Sequence, residues 1–315
     1  MTHPTLNPTQ ISQYLDRIRL TSGRYESVTD LSPKESLDYL SRLMRYHLSA
    51  VPFENLTLHY THHRRVSLDA DDLFEKIVGS GTRGGYCMEN NTLFGALLRS
   101  LGYRLHSAGA RVKAGGASFG GWSHMINIVN IDGQRYVVDV GFGANCMIEP
   151  MKIDRAGTIV PNLRPASARI IRDYLPEASN KQDEDQKMWI YQHRNNDESD
   201  WVDIYCFTEL EFLPDDYKIM SLYTSTSPQT FFTQMVVCVL LLRDADKEEL
   251  KGTMILLGNN LKARIDGNTN TSKAFESEDD RLECLKDTFG IVFDGSGKKA
   301  IKGTAAEVKT QAFSM

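Results

Sequence analysis

A hairpin signature near the middle of the chain constrains its fold more than any other feature. Met125-Ile-Asn-Ile-Val-Asn-Ile131 is followed by Asp132-Gly133 and then by Arg135-Tyr-Val-Val-Asp-Val140. Asp-Gly favours a two-residue turn with positive φ at both positions, and strand-forming runs on either side of such a turn pair antiparallel. Because the apolar period changes to two from Tyr103 onward, we predict that the middle third of the chain is mostly β.

The first hundred residues carry helix signals instead. Ser32 can act as an N-cap because Pro33 follows at the first helical position and Glu35 stands three residues after the cap. Two further segments are each followed by a glycine after the last turn. The earlier one has an acidic first turn, and the later one has apolar residues at helical spacing. We predict helices over about 33–48, 67–79 and 91–101, which together form a small N-terminal bundle.

The last third of the chain is predicted to mix strands with one helix. Apolar runs predict the strands, and acidic residues in a first turn predict the helix. The expected strands are 231–242, 252–257 and 261–265, and the expected helix is about 277–289. The stretch from Ser179 to Asp200 is polar and charged, so we predict a solvated loop there.

Composition and charge exclude several classes of protein. A hydrophobic fraction of 41% in 315 residues is enough to bury a core, and a net charge of -5 lacks the basic excess of a nucleic-acid-binding protein. The most apolar run, 235–242, is far shorter than the roughly 20 residues that cross a bilayer, and no apolar signal segment opens the chain. We expect a globular cytoplasmic protein that binds neither nucleic acid nor membrane.

The cysteines favour a reduced protein. They are odd in number, widely scattered and lack a CxxC pair: Cys87, Cys146, Cys206, Cys238 and Cys284. Disulfide frameworks and zinc sites are built from paired or closely spaced cysteines. We therefore expect at least one free thiol, and no metal site or permanently bound cofactor is indicated.

Cys87 is a candidate nucleophile because of its place in the chain. It lies in Arg83-Gly-Gly-Tyr-Cys-Met-Glu-Asn90, just after two glycines and at the start of an apolar-periodic helix. Free backbone N–H groups and the positive dipole end of a helix favour thiolate over thiol. A small buried apolar residue explains the same position equally well, so the nucleophile hypothesis needs partners for Cys87.

His124 and Asp139 are the candidate partners. A nucleophilic cysteine needs a base to take its proton and a third group to orient that base. His124 opens the first hairpin strand and Asp139 ends the second, so the Asp132-Gly133 turn brings them to the same end of the hairpin. Each of the two has a structural explanation when taken alone. Together they predict a thiolate–imidazolium pair.

Several motifs then resemble one family. Four segments occur in the order and spacing of arylamine N-acetyltransferases: Val51-Pro-Phe-Glu-Asn55, Arg83 to Asn90, Trp122-Ser-His124 and Asp139-Val-Gly-Phe-Gly143. The resemblance covers residues 35 to 150 well. It covers the C-terminal half weakly, where Thr226-Ser-Pro-Gln-Thr-Phe-Phe232 is similar to the opening of the family's third domain.

The resemblance implies a fold, a mechanism and a site. It implies a catalytic triad of Cys87, His124 and Asp139 in an α+β protein with a cysteine-protease or transglutaminase-like core. The implied domains are a helical bundle over 1–102, a β-barrel over 103–215 and an α/β lid over 216–315. The implied reaction is ping-pong acyl transfer, in which Cys87 takes an acetyl group from acetyl-CoA and an arylamine or arylhydrazine then takes it from Cys87. The oligomeric state is not indicated.

Further positions match less specific features of the family. Phe53 and Phe142 match positions that form acceptor-pocket walls in the family. The family's positions near the coenzyme are matched by Gly120, Gly121, Ser123 and Tyr223. Glu54 and Arg83 resemble a structural salt bridge.

The departures from the family pattern concern substrate choice. Glu89 replaces a frequent glutamine, and Gly120 replaces a hydroxyl residue of the animal enzymes. The pattern resembles fungal members, some of which prefer malonyl-CoA, so the acyl group is acetyl or malonyl.

Two other functions fit the same residues. A cysteine hydrolase or transglutaminase-like enzyme uses the same three side chains, and coenzyme A dependence distinguishes it from an acyltransferase. A catalytically silent ligand-binding protein would have a thiol that resists alkylation at neutral pH.

Overall fold

The computed structural model describes residues 3–113, 115, 118–244 and 246–309, so the outer ends of the predicted first and third domains lie partly outside the described residues. Its helices and strands combine into a mixed α/β fold. The helices are α1 (Pro8–Arg17), α2 (Pro33–Ala50), α3 (Thr57–Tyr60), α4 (Ala70–Phe74), α5 (Cys87–Ser100), α6 (Pro214–Thr226), α7 (Phe231–Gln234), α8 (Glu278–Phe289) and α9 (Gly295–Ala300).

Two of the three predicted N-terminal helices form, and the other is shorter than expected. Ser32 caps α2 as predicted, with its hydroxyl accepting from the Glu35 backbone N–H at 3.3 Å. The predicted 67–79 helix begins only at Ala70, because Asp69 is the N-cap, and it widens into a π-helical turn over Glu75–Gly79. Helix α5 starts at Cys87, as its motif predicts, and holds the predicted helical segment from Asn91 to Ser100.

The predicted hairpin is part of an eight-stranded sheet. Its strands are β2 (Arg104–Val112), β3 (Trp122–Ile131), β4 (Gln134–Val138), β5 (Met151–Lys152), β6 (Val160–Pro161), β7 (Ser167–Asp173), β8 (Met188–Arg194) and β9 (Val202–Glu211). The turn residues Asp132 and Gly133 have φ angles of 50° and 80°, as an Asp-Gly turn requires. The strand order is β5-β4-β3-β2-β9-β8-β7-β6, so β5 and β6 are edges and the expected barrel is a curled half-barrel.

The polar stretch 179–200 is not entirely a loop, which corrects the prediction. Strand β8 lies within it and pairs with β7 and β9, and its Trp189, Ile190 and Tyr191 side chains are buried. The residues on both sides of β8 are polar, so the composition of this stretch does not indicate a strand.

A second sheet has the order β1-β10-β11-β12-β13. Its strands are β1 (Phe53–Glu54), β10 (Val237–Arg243), β11 (Leu250–Leu257), β12 (Asn260–Ile265) and β13 (Asn268–Ala274). The predicted strand over 231–242 is wrong at its start, because Phe231–Gln234 forms α7 and pairing begins at Val237. Helix α8 covers Glu278–Phe289 with an acidic first turn, as expected, and Ser277 is its N-cap.

Strand β1 ties the two halves of the chain together. Phe53 pairs with Val239 and Glu54 with Cys238, so the N-terminal motif joins the C-terminal sheet directly. All five cysteines are buried free thiols. No helix among the described residues is both long and apolar enough to cross a membrane.

Candidate active site

Cys87 is the first residue of α5 and directly follows the extended Tyr86 N-cap. The Tyr86 backbone N–H donates to Glu89 Oε2 at 3.0 Å, which caps the helix immediately before the cysteine. Cys87 is only 3% exposed, and its Sγ lies 3.7 Å from the Ser123 carbonyl oxygen on β3. The thiol therefore sits between the start of a helix and the start of a strand.

His124 and Asp139 meet beside the cysteine. His124 Nε2 lies 2.7 Å from Asp139 Oδ2, and both side chains are buried. Because the carboxylate takes Nε2, the ring nitrogen that remains for Cys87 is Nδ1. The hairpin brings together the two residues that the sequence singled out.

The electrostatics of this pair favour the ionised state. Burial lowers the pKa of His124, but the charge and hydrogen bond of Asp139 and the neighbouring Cys87 outweigh it and raise the pKa to about 10. Burial alone would raise the pKa of Asp139, yet His124 and the Asn91 amide hold it below its usual range. An imidazolium is thus the stable form of His124 at neutral pH.

Asn91 is a member of this site that the sequence reasoning missed. Its Nδ2 donates to Asp139 Oδ1 and to the Met125 carbonyl, both at 2.8 Å, while its Oδ1 accepts from the Val140 N–H at 3.0 Å. The Gly141 N–H also donates to Asp139 Oδ1 at 2.9 Å. Asn91 lies one helical turn after Cys87 on the same face of α5, and this spacing is the signal that could have identified it.

Gly141 allows α5 to pack closely against the segment that follows β4. A Cβ atom at position 141 would lie 2.6 Å from the Cys87 carbonyl oxygen and 2.8 Å from Asn91 Nδ2. Real Cβ atoms do not approach other atoms so closely, so a side chain here would push Cys87 away from His124.

Aromatic side chains surround the triad. Phe142 packs edge-on against His124 with ring centroids 5.2 Å apart, and Tyr205 lies 5.1 Å from the same imidazole. Phe53 shares a buried apolar cluster with Cys87. Phe232, which sequence reasoning did not select, lies 6.1 Å from Phe53 and 5.8 Å from Tyr86. These rings suit a flat apolar substrate.

Helix α6 covers one side of this cluster. Tyr217 and Met220 on α6 belong to the buried cluster that contains Cys87. The Tyr86 hydroxyl is hydrogen-bonded to the buried Ser221 hydroxyl of α6. The residue that precedes the cysteine is therefore linked to this helix.

The predicted coenzyme positions divide into two groups. Gly120 and Gly121 are exposed and lead into β3, where Ser123 contacts the thiol through its carbonyl. Tyr223 is 54% exposed on the outer face of α6, and the structure does not bring it to Cys87.

The segment just before the polar stretch 179–200 contacts Phe119, in the loop that precedes β3. Glu177 Oε1 accepts from the Phe119 N–H at 2.9 Å. A cavity of about 340 Å³ lies between the stretch and the loop, and its lining includes Arg111, Phe119 and Glu177.

Glu54 and Arg83 form the expected buried salt bridge, with Arg83 Nε 2.9 Å from Glu54 Oε1. Lys76 extends it, because its Nζ lies 2.7 Å from Glu89 Oε1 and 3.8 Å from Glu54 Oε1. Burial raises the pKa of Glu89, and Lys76 partly offsets this. Within the described ranges, no cluster of three His, Cys, Asp or Glu side chains is arranged to hold a metal.

Comparisons with known proteins agree on one family. A family model described as N-acetyltransferase matches residues 36–298. N-malonyltransferase FDB2 of Fusarium pseudograminearum strain CS3096 is 34% identical over 310 residues, covering 91% of this chain and 90% of that protein.

Solved structures agree with the sequence comparison. The arylamine N-acetyltransferase from Mycobacterium abscessus matches with a TM-score of 0.77 at 24% identity over 93% of each chain, which shows the shared fold. The Mycobacterium marinum arylamine N-acetyltransferase in complex with CoA matches with a TM-score of 0.73 at 27% identity, over 92% of this chain and 98% of that one.

Proposed function

Because the chain belongs to the arylamine N-acetyltransferase family, we propose that it moves an acyl group from acyl-CoA to an aromatic amine or hydrazine through a thioester on Cys87. The observation that carries the proposal is the contact of a buried His124–Asp139 pair with a cysteine at a helix start. A helix start with an adjacent, oriented histidine is an arrangement in which a cysteine can act as a nucleophile.

In the first proposed step, the Cys87 thiolate attacks the thioester carbonyl carbon. The carbonyl oxygen becomes an oxyanion, which the Cys87 backbone N–H at the start of α5 can stabilise. The C–S bond to coenzyme A then breaks, and the leaving sulfur takes a proton from His124. This exchange is easy because the two sulfurs have similar basicity, so positioning is the main requirement.

In the second proposed step, the amine nitrogen attacks the Cys87 thioester. His124 accepts the proton that the nitrogen loses, and the Cys87 thiolate departs, which restores the starting ion pair. Asp139 stabilises the imidazolium in both steps without changing its own charge. Phe53, Phe142 and Phe232 offer apolar faces for the ring of the amine.

We propose malonyl as the preferred acyl group, with acetyl as the alternative. Support comes from the relatives named N-malonyltransferase, one of which is 37% identical over 82% of this chain. The test is to supply malonyl-CoA and acetyl-CoA separately with one arylamine and to measure the N-acylated product. Faster N-malonylation supports the proposal, and thioester hydrolysis without transfer would favour the cysteine hydrolase.

The domain layout of the chain and its cellular location are also proposals. We propose a helical unit over 1–102, a sheet unit over 103–215 and a lid over 216–315, around a core of cysteine-protease or transglutaminase type. Support comes from a nucleophile on α5 and its partners on and after the β3–β4 hairpin. The coenzyme-contacting role of Gly120, Gly121, Ser123 and Tyr223 stays a prediction, as does a cytoplasmic location.

A further inference from the structure

Two buried side chains outside the triad hold one wall of the site. We propose that Asn55 and His59 are positioning residues that fasten the end of α7 and thereby hold the Phe232 ring beside Tyr86, the residue that precedes Cys87. The proposal rests on the proposed function, since it names the residues that shape the acceptor side of that site.

The fastening consists of hydrogen bonds to two backbone carbonyls. Asn55 Nδ2 donates to the carbonyl oxygens of Phe232 and Met235, both at 2.8 Å. His59 Nε2 lies 2.9 Å and 3.1 Å from the same two oxygens. Asn55 and His59 are 3% and 2% exposed, so water does not easily replace these bonds.

The orientation of both side chains is determined by their surroundings. Asn55 Oδ1 accepts from the Val237 N–H at 2.8 Å, which turns its amino group toward the carbonyls. Burial lowers the pKa of His59 to about 4, so the ring is neutral at pH 7. Apart from the Asn55 amino group, the groups that face His59 Nε2 are acceptors. The single proton of the neutral ring therefore belongs on Nε2.

The segment needs this support because it is short. Helix α7 has four residues, and the last carbonyls of a helix have no partner within it. Asn55 of the Val51-Pro-Phe-Glu-Asn55 motif and the nearby His59 supply donors from a distant part of the sequence. A helix of this length would not hold its place unaided.

The hydrogen bonds from Asn55 and His59 affect the site through the Phe232 side chain. Phe232 belongs to α7, and its ring packs between Tyr86 and Phe53, at centroid distances of 5.8 Å and 6.1 Å. Loss of the carbonyl bonds would release this ring while leaving Cys87, His124 and Asp139 in place. The acceptor step should therefore suffer more than the donor step.

The test compares His59→Leu, which loses the donor, with His59→Gln, whose amide nitrogen can occupy the place of Nε2. Thr61→Val is the matched control, because the Thr61 hydroxyl donates to the Thr57 carbonyl at 2.7 Å and does not contact α7. Asn55→Asp is a second variant of the same shape that keeps the acceptor for Val237 and loses both donors.

Two rates are measured for each folded variant: acyl-enzyme formation from malonyl-CoA alone, and turnover against arylamine concentration. In His59→Leu and Asn55→Asp we expect the KM for the amine to rise about three- to tenfold, with acyl-enzyme formation within about twofold of the parent. His59→Gln should recover most of the loss. An unchanged KM, or equal losses in both rates, would overturn the proposal.

Hydrogen exchange separates this proposal from the proposed function. If the parent protein forms no acyl-enzyme, the proposed function fails, but amide exchange over 231–237 still reports the fastening. Faster exchange there in His59→Leu than in Thr61→Val supports it, and equal exchange contradicts it.

Discussion

Asn91 Nδ2 lies 2.8 Å from Asp139 Oδ1, which links the helix that begins with Cys87 to the strand end that orients His124. This bond helps to keep the segments that carry Cys87, His124 and Asp139 in a fixed arrangement. The same amide also bonds Met125 and Val140, so Asn91 joins α5 to both strands of the hairpin.

Replacing Asn91 with alanine should therefore weaken catalysis and stability together. We expect acyl-enzyme formation to slow by up to about 100-fold, because a small displacement of reacting groups is costly. The free energy of unfolding should fall by about 1–3 kcal/mol, because buried partners lose their bonds. Stopped-flow acylation and urea unfolding measure the two effects.

Thr92→Val is the control for this change. Thr92 follows Asn91 on the same helix, and its hydroxyl contacts Met125 Sδ at 3.5 Å rather than the triad. A loss of acylation in Thr92→Val as large as in Asn91→Ala would show that α5 is merely sensitive to substitution.

The His124–Asp139 pair should make stability depend on alkaline pH. The pKa of His124 rises from 6.5 to about 10 on folding, so its contribution is fully present below about pH 6.5 and is lost as the pH rises through 10. Each unit of the pKa difference corresponds to about 1.4 kcal/mol.

Denaturant unfolding at pH 7 and pH 10 measures this effect. The parent protein should lose more unfolding free energy across that range than Asp139→Asn, in which the carboxylate charge is absent. Equal losses in the two proteins would show that the pair does not hold the imidazolium.

Gly141 should not tolerate a side chain. In Gly141→Ala the added Cβ would lie 2.6 Å from the Cys87 carbonyl oxygen, so the start of α5 must shift. We expect a loss of about 1–3 kcal/mol in unfolding free energy and a marked loss of acylation. Gly295→Ala is the matched control, since no heavy atom lies within 4 Å of its added Cβ. Similar melting temperatures for the two variants would argue against close packing at Gly141.

Glu89 should accept glutamine more easily than alanine. Burial raises the pKa of Glu89 and Lys76 partly offsets this; a glutamine loses the ion pair with Lys76, but its oxygen can still accept from the Tyr86 N–H. We expect Glu89→Gln to change the unfolding free energy by less than about 1 kcal/mol and Glu89→Ala to lower it by about 1–3 kcal/mol. Thermal unfolding of both variants checks this order, and the reverse order would refute the capping role.

Local signals predicted much of this fold. Local signals include the Asp132-Gly133 turn, the Ser32 cap, the acidic first turn of α8 and the helix start at Cys87, and each appears in the structure. The approach of His124 to Asp139 followed from hairpin geometry alone.

Long-range contacts account for what the sequence did not predict. Strand β8 is stabilised by strands on both sides although its flanks are polar. Phe231 to Gln234 is helical rather than extended, and its Phe232 carbonyl is bound by Asn55 and His59, which are far away in the chain. Tyr223 faces outward because Tyr217 and Met220 take the buried side of α6.

The central claim is that Cys87 carries the acyl group. Intact-protein mass spectrometry after brief mixing with malonyl-CoA or acetyl-CoA, without amine, tests it most directly. We predict a mass increase of one acyl group that maps to Cys87 and is absent in Cys87→Ser. An unmodified parent protein with both donors, or equal labelling of Cys87→Ser, would contradict the account.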